Sequence, residues 1–449
     1  MGRSYAGAFG VAQETTFGSP VSPVVSLPVT QAGIKPSRPA VKRGGIYSSR
    51  QVQCQSAGLQ TVAGPFQLEG DAIALGLPLY WLFGAVSSAP MAGTIVAAAT
   101  ASGSGSGGTL PAAAYQYQVA HVFERTEDEA QHFGGSAPLS TAVTTTGSAS
   151  SVALSWVNAA PPAGYTLVGT NIYRKVGAGD CLFVHSVSGS GTTWTDTGSA
   201  AQGRAVPPEQ AYVHTFIPPD VSDASDIPSF TVTMNVDLPQ AIQIDGCKIG
   251  QMTATVAEDG NAPVTFAFDV LGRRARKVPI YSPVHTPICA MLSWQSRVTV
   301  DGIVSDVAKA MTVVLNQNLT SKRSLNGNPY VNKHDPGMLE ATGTLTNDWA
   351  DFAFYDRLLD GTKFDLRNRM EGPATTDKAS IKVDENTLAT PFPFSVEFHM
   401  PSCLLDGEAG GELNGGESMD ENPGYSAGVS LTHGYAIRAR LVNRTPSYT

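Results

Sequence analysis

With 449 residues, the chain is long enough for two or three domains and a sizeable core, and its 46 Gly, 30 Pro and abundant Ser, Thr and Val favour strands and turns over helices. A net charge of −9 excludes a duplex-binding surface, which needs clustered Lys and Arg. Five scattered cysteines (Cys54, Cys181, Cys247, Cys289 and Cys403), odd in number and never spaced C-x-x-C, exclude a disulfide scaffold or zinc site and point to reduced thiols in a cytosolic setting.

The chain starts MGRSYAGAFGVAQETTFGSPVSPV, without the charged start and apolar core of a signal peptide, so an extracellular setting is expected only after lysis or through a dedicated exporter. No run of about eighteen apolar residues follows, so no helical membrane span is expected. Residues 35–50 hold Lys35, Arg38, Lys42, Arg43 and Arg50 with no acid among them. TVAGPFQLEG reads as a strand. The run from Asp71 to Phe83 reads as a short buried helix, kinked or broken at Pro78.

Residues 97–210 change character. They open on the Ser/Gly-rich AAATASGSGSGGTL and close on SAAQGRAVPP, both read as flexible flanks. Between them AYQYQVAHVF, LSTAVTTT, SVALSWV, TNIYRKV, CLFVHSV and TTWTDT are short Val/Thr/aromatic runs broken by turn residues, the pattern of a small β-sandwich. The expected organisation is a host in two parts, 1–96 and 211–449, with a guest at 97–210 inserted into a surface loop.

The second host part is again rich in strands. In PSFTVTMNVD, Phe230, Val232, Met234 and Val236 alternate with Thr231, Thr233, Asn235 and Asp237, predicting one buried and one polar face. MTATVAEDGNAPVTFAFDV predicts a hairpin. TNDWADFAFYDRLLDGTKF predicts a helix capped by Asn347 or Asp348 and ended by Gly361, with Trp349, Phe352, Tyr355 and Leu359 on one face. In AIRARLVN, Ile437, Ala439 and Leu441 oppose Arg438 and Arg440.

Chemistry is sparse. Gly103, Gly105 and Gly108 satisfy G-x-G-x-x-G, but in a Ser/Gly stretch before a strand, where no helix N-terminus is available for phosphates. The eight histidines (His121, His132, His185, His214, His285, His334, His399 and His433) are dispersed, without zinc spacing, and each reads as a surface or half-buried residue. No nucleophile elbow or P-loop occurs. The acidic pairs Glu258–Asp259 and Asp420–Glu421 fall in expected turns, so no enzyme, metal or cofactor is expected. What stands out is charge segregation: Asp406, Glu408, Glu412, Glu417, Asp420 and Glu421 lie in a stretch without Lys or Arg. A solvated acidic loop is one reading. The other pairs this loop with the basic stretch 35–50 of a neighbouring copy.

Taken together, GAFGVAQETTFGSPVSPVVSLPV and TVAGPFQLEGDAIALGLPLYWLFGAV resemble the opening of the phage tail tube (major tail) proteins of long-tailed phages. Glu14, Thr15, Thr16, Gly18, Pro20 and Val21 carry its first motif, and Leu82, Phe83 and Gly84 its last. NDWADFAFYDRLLDGTKFDL, FSVEFHMPSC and GYAIRARLVN resemble the family's second helix and closing strands. Within the guest, Leu154, Trp156, Ile172, Tyr173, Arg174, Thr193, Trp194, Thr195 and Asp196 hold positions that resemble fibronectin type III or immunoglobulin-like modules, known as decorations on phage tail proteins. The resemblance implies a mainly β subunit, a tail-tube β-sandwich or barrel with one or two short helices, plus the inserted immunoglobulin-like sandwich. It further implies a structural virion protein assembled in the host bacterial cytoplasm. Its hexameric rings stack into a hollow tube that meets tape measure and terminator proteins, and DNA passes without specific binding. Weak host-surface contact would fall to the guest. The competing expectation is an adhesion or carbohydrate- or receptor-binding β-protein whose active part is the guest.

Overall fold

The computed structural model describes residues 7–42, 55–126, 131–147, 149–203, 207–208, 210–219, 227–236, 238–282, 290–325, 327–374, 381–382, 388–391, 393–407 and 420–448. Strands dominate, and twenty of them join one hydrogen-bonded network. Its axis is the seventeen-residue strand Gln240–Val256, which belongs to two sheets in turn. Residues 240–245 lie between Phe230–Asn235 and Arg274–Pro279. From Lys248 onward the same strand pairs with Thr265–Gly272, the predicted hairpin, and with Ala308–Asn316.

The first sheet continues from Phe230–Asn235 to Ala8–Gln13 and then to Val25–Leu27. The second is much wider. On one side Thr265–Gly272 pairs with Thr61–Glu69, which carries Val29–Ala32 and Lys35–Ser37. On the other side the order runs through Glu340–Asp348 and Gly424–Ala427 to Pro393–Asp406. That last strand pairs in addition with Phe364–Ala374 and with Arg438–Asn443, and Arg438–Asn443 leads to Tyr212–Phe216 and Ser87–Pro90. Aromatic side chains fill the space between the sheets: Phe66 stacks on Phe268 with centroids 4.9 Å apart, and Phe9 packs 5.1 Å from Phe66.

Helix α1 (Gly76–Phe83) seals this core with Leu79, Trp81, Leu82 and Phe83, all fully buried, and Trp81 lies flat on Phe230 at 4.1 Å. It starts later than Asp71. The Asp71 carboxylate accepts the backbone N–H groups of Ile73 and Ala74, holding a turn that precedes the helix. Pro78 therefore falls in the first helical turn, where a missing N–H removes no bond, and no kink results. Gly84, at φ +81°, ends the helix. Helix α2 (Ala353–Asp360) is ended by Gly361 as expected, but Asn347 and Asp348 close the preceding strand, and Asp351 accepts the Ala353 N–H instead.

Both faces of Phe230–Asn235 are buried, against the expected polar face: Thr231 and Thr233 are each 1% exposed. The cause is Glu14. Its carboxylate is 5% exposed and meets only donors: Gly18 N–H (2.8 Å), Ser229 Oγ (2.9 Å), Thr231 Oγ1 (2.8 Å) and Gly246 N–H (2.8 Å). Gly246 is where Gln240–Val256 passes from one sheet to the other. It takes φ +64°, and a Cβ there would fall 2.7 Å from Arg273 Cβ and 3.0 Å from the Phe17 ring. The motif residues Glu14 and Gly18 thus close a loop around the point where the sheets diverge.

Between Met91 and Ala211 the chain leaves this network and returns to the place it left: Met91 N–H donates to the Ala211 carbonyl at 2.9 Å. The intervening residues build most of two smaller sheets. One sets Ala114–Arg125 beside Tyr165–Val176 and Cys181–Ser188, with Gln131–Phe133 and Val143–Thr144 along its other edge, and Gln131–Phe133 pairs in turn with Leu388–Pro391 from the second host part. The other is Thr100–Ser104, Ser151–Ser155 and Thr193–Asp196. Tyr115, Tyr117, Val119 and Ile172 of the first share a core with Val152 and Leu154 of the second, separate from the main core. A buried ion pair joins the two sheets: Arg174 Nη1 lies 2.8 Å from Asp196 Oδ2, which accepts the Tyr117 hydroxyl as well. The first flank is not the free tether expected from its composition, since Thr100–Ser104 pairs with Ser151–Ser155, and in the described part of the second Gln202 donates to the Arg174 carbonyl. Phe123 packs with Met91, Ala211 and Val442 where these sheets meet the larger network.

Five histidines expected at or near the surface are buried: His121, His132, His214, His334 and His399. Three have polar partners at both ring nitrogens, which removes the penalty of burying a neutral imidazole. His214 sits between Ser88 Oγ and Asn443 Oδ1, His121 between Thr170 Oγ1 and the Ala159 N–H, and His399 between Tyr435 and Asp365. His285 lies outside the described residues. Cys247 and Cys403 are buried free thiols, pushed up by burial, and Cys181 is half-buried; Cys54 and Cys289 lie outside the described residues.

Two predictions follow from these buried polar groups. Glu14→Ala leaves four buried donors without their acceptor and is expected to cost on the order of 3–5 kcal/mol, read as a lowered urea midpoint; an unchanged midpoint would show the node to be dispensable. Burial pushes His121 down to about 4. The unfolded chain then binds a proton that the folded one refuses, so this stability is present above pH 6.5 and is lost as pH falls toward 4, up to about 3 kcal/mol. Amide protection factors in Ala114–Arg125 and Tyr165–Val176, taken relative to the intrinsic exchange rate at each pH, should fall across that window in the wild type and lose most of that pH dependence in His121→Gln.

Candidate assembly surfaces

Among the described residues, no group of three or more His, Cys, Asp or Glu is placed to hold a metal ion, and no helix is long and apolar enough to cross a membrane, which says nothing of strands. One polar cluster has the outline of catalytic machinery. His399 Nε2 lies 2.7 Å from Asp365 Oδ2, and Nδ1 lies 2.8 Å from the Tyr435 hydroxyl. Burial pushes His399 down despite the carboxylate beside it. Burial opposes the ionised form of Asp365 too, but hydrogen bonds from Arg367 and His399 outweigh it and hold that carboxyl below its ordinary value. The cluster forms a hydrogen-bonded polar network that ties Tyr435 to the paired strands Phe364–Ala374 and Pro393–Asp406.

The basic residues singled out in the sequence lie on an extended arm. Lys35 opens Lys35–Ser37, which pairs with the main sheet, and Arg38 Nε donates to the Gly58 carbonyl at 2.8 Å. Lys42 ends Ala40–Lys42, which pairs with Gln55–Ala57 and with no other described strand. Every residue of that two-stranded ribbon is exposed. Arg43 and Arg50 lie outside the described residues.

The acidic residues divide differently. Asp406 is exposed at the end of Pro393–Asp406, and Glu408, Glu412 and Glu417 lie outside the described residues. Asp420 is engaged within the subunit: Lys309 Nζ lies 2.8 Å from it and 2.6 Å from Asp348, and these hydrogen bonds push the Lys309 ammonium up. Glu421 is 3% exposed and faces Asn347 Nδ2 at 3.4 Å, its carboxyl pushed up by burial. Among the described residues no ion pair joins this acidic group to the arm.

Sequence reasoning missed the most conspicuous surface. Phe352, Tyr355 and Leu359 do share a side at α2, with Trp349 placed before the helix rather than on it, but that side is turned outward: Phe352 is 59% exposed and Leu359 67%. The rings pack edge to face, Trp349 on Phe352 at 5.5 Å and Phe352 on Tyr355 at 6.0 Å. Phe354 alone anchors the helix from beneath, against Phe364 at 6.2 Å, and Arg357 lies over the Phe364 ring while pairing with Asp301 at 2.7 Å. The available signal was spacing: Phe354 lies off the stripe on an eight-residue helix, and its side is the one that packs.

The candidate residues thus form surfaces and structural nodes. No curated protein matches the sequence. A family model described as phage tail tube protein matches residues 5–408. That span contains the Glu14 loop, both helices, the arm and the sheet-switching strand, and this chain therefore belongs to the phage tail tube protein family.

Proposed function

We propose that this structural component of the phage tail closes into hexameric rings, which stack into the tube that conducts DNA to the host cell. The observation that carries the reading is the first sheet. Among the described residues, its outer strands Val25–Leu27 and Arg274–Pro279 each have a single neighbour, so both edges are open within one subunit. An open edge invites pairing with another chain, and closure of several subunits into a barrel removes all such edges at once. Arg276 and Lys277 on one edge strand are charges of the kind that discourage indiscriminate pairing. The formal charge of −9 suits a conduit that must not grip phosphates.

In this reading tape measure and terminator proteins meet the tube at its ends, and assembly takes place in the bacterial cytoplasm. Residues 97–210 form a guest of fibronectin type III or immunoglobulin-like kind on the outside of the tube, open to weak contact with the host surface. The separate core and the Met91–Ala211 hydrogen bond support the guest reading. The basic residues Lys35, Arg38, Lys42, Arg43 and Arg50 face acidic groups of the next ring, with Asp406 the described acid of the loop that is exposed.

Electron microscopy of the purified protein should show six-fold rings or tubes; a dispersed monomer at high concentration would refute the proposal. Replacing residues 97–210 by a short Gly/Ser loop should leave tubes intact with a thinner outer surface, and loss of tubes in a folded deletion variant would contradict the guest reading.

A further inference from the structure

Among the described residues, two surfaces of the subunit lack support within it, and they complement each other. The ribbon of Ala40–Lys42 and Gln55–Ala57 pairs with no other described strand, and an isolated two-stranded ribbon is marginal in water. It is apolar as well as basic. Val41 is 55% exposed and nearby Leu59 51%, Arg38 and Lys42 supply positive charge, and residues 35–42 and 55–61 contain no acid. The outward side of α2 is apolar and acidic. Phe352, Tyr355 and Leu359 form the stripe, and the exposed Asp351, Asp356 and Asp360 flank it. The one cation within the helix, Arg357, is committed to Asp301, and Lys363 stands beyond Gly361.

We propose that the stripe of α2 is the docking face for the basic ribbon of a second copy of this chain. The inference rests on the tube reading and names one of its contacts. Val41 and Leu59 would lie on Phe352 and Leu359, and Arg38 and Lys42 would meet Asp351, Asp356 and Asp360. The two patches differ, so the contact is head-to-tail: each copy offers a ribbon and receives one, which propagates an assembly rather than ending it at a dimer. Each partner repairs the other's deficiency, since the ribbon gains a packed side and the aromatic stripe leaves water. This adds the α2 carboxylates to Asp406 as counter-charges for the arm, whereas Asp420 and Glu421 are engaged within their own subunit.

The test is the critical concentration for tube formation, measured by sedimentation at low and high salt, with folding followed by circular dichroism. Phe352→Asp and Leu359→Asp change exposed residues, so they should stay folded and raise the critical concentration about tenfold or more, the equivalent of roughly 1.4 kcal/mol. Arg38→Glu with Lys42→Glu should weaken assembly, most at low salt. Asp356→Lys with Asp360→Lys in the same chain should restore it. Unchanged assembly in both stripe variants, or no restoration by the charge exchange, overturns the inference while leaving the tube reading in place. A wild-type chain that forms no polymer overturns the tube reading and, with it, the docking inference.

Discussion

The fold depends on one buried carboxylate at the point where one strand serves two sheets. Gln240–Val256 leaves the first sheet after Asp245 and enters the second at Lys248, so the backbone between them meets neither ladder cleanly. Glu14 resolves this by accepting Gly246 N–H while also holding Gly18, Ser229 and Thr231. Without a concentrated acceptor there, four donors from three distant segments would be buried unpaired. The N-terminal strand, the Thr/Pro loop after it and the angle between the sheets are fixed together by that side chain.

Much of this architecture was legible because it obeys local rules. The hairpin after Val256, the Gly361 helix end and the inward Ile437, Ala439 and Leu441 follow from turn chemistry and periodicity. The failures have a common origin in partners far along the chain. Thr231 and Thr233 look solvent-facing until Glu14 and Gln243 are brought over them. The Ser/Gly run at 100–104 looks like a tether until Ser151–Ser155 arrives to pair with it. The buried histidines look ordinary because Asn443, Asp365 and the Ala159 N–H are invisible to a local window.

The functional surfaces were legible in part and for a different reason. Charge runs are visible in a sequence, so the arm was found, but whether a charge is free is not: Asp420 is held by Lys309, from 111 positions earlier. The α2 stripe was visible as a pattern yet ambiguous in direction, because a short helix with apolar residues on two sides can bury either. Phe354 packs inward on Phe364, and the broader aromatic side stays exposed on the subunit. In an assembling protein, amphipathicity reports the core of the assembly as much as the core of the subunit.

The Met91–Ala211 hydrogen bond has a consequence for how such a chain changes over evolutionary time. The exit and entry points are adjacent rungs of one ladder, with Pro90 opposite Tyr212, so the gap there is the width of a hairpin whatever is threaded through it. Closure entropy grows only slowly with the number of residues in between. Closing the ladder therefore sets little demand on the length threaded through it, and the demands on the segment come from its contacts with the rest of the subunit, Gln131–Phe133 beside Leu388–Pro391 and Phe123 against Val442.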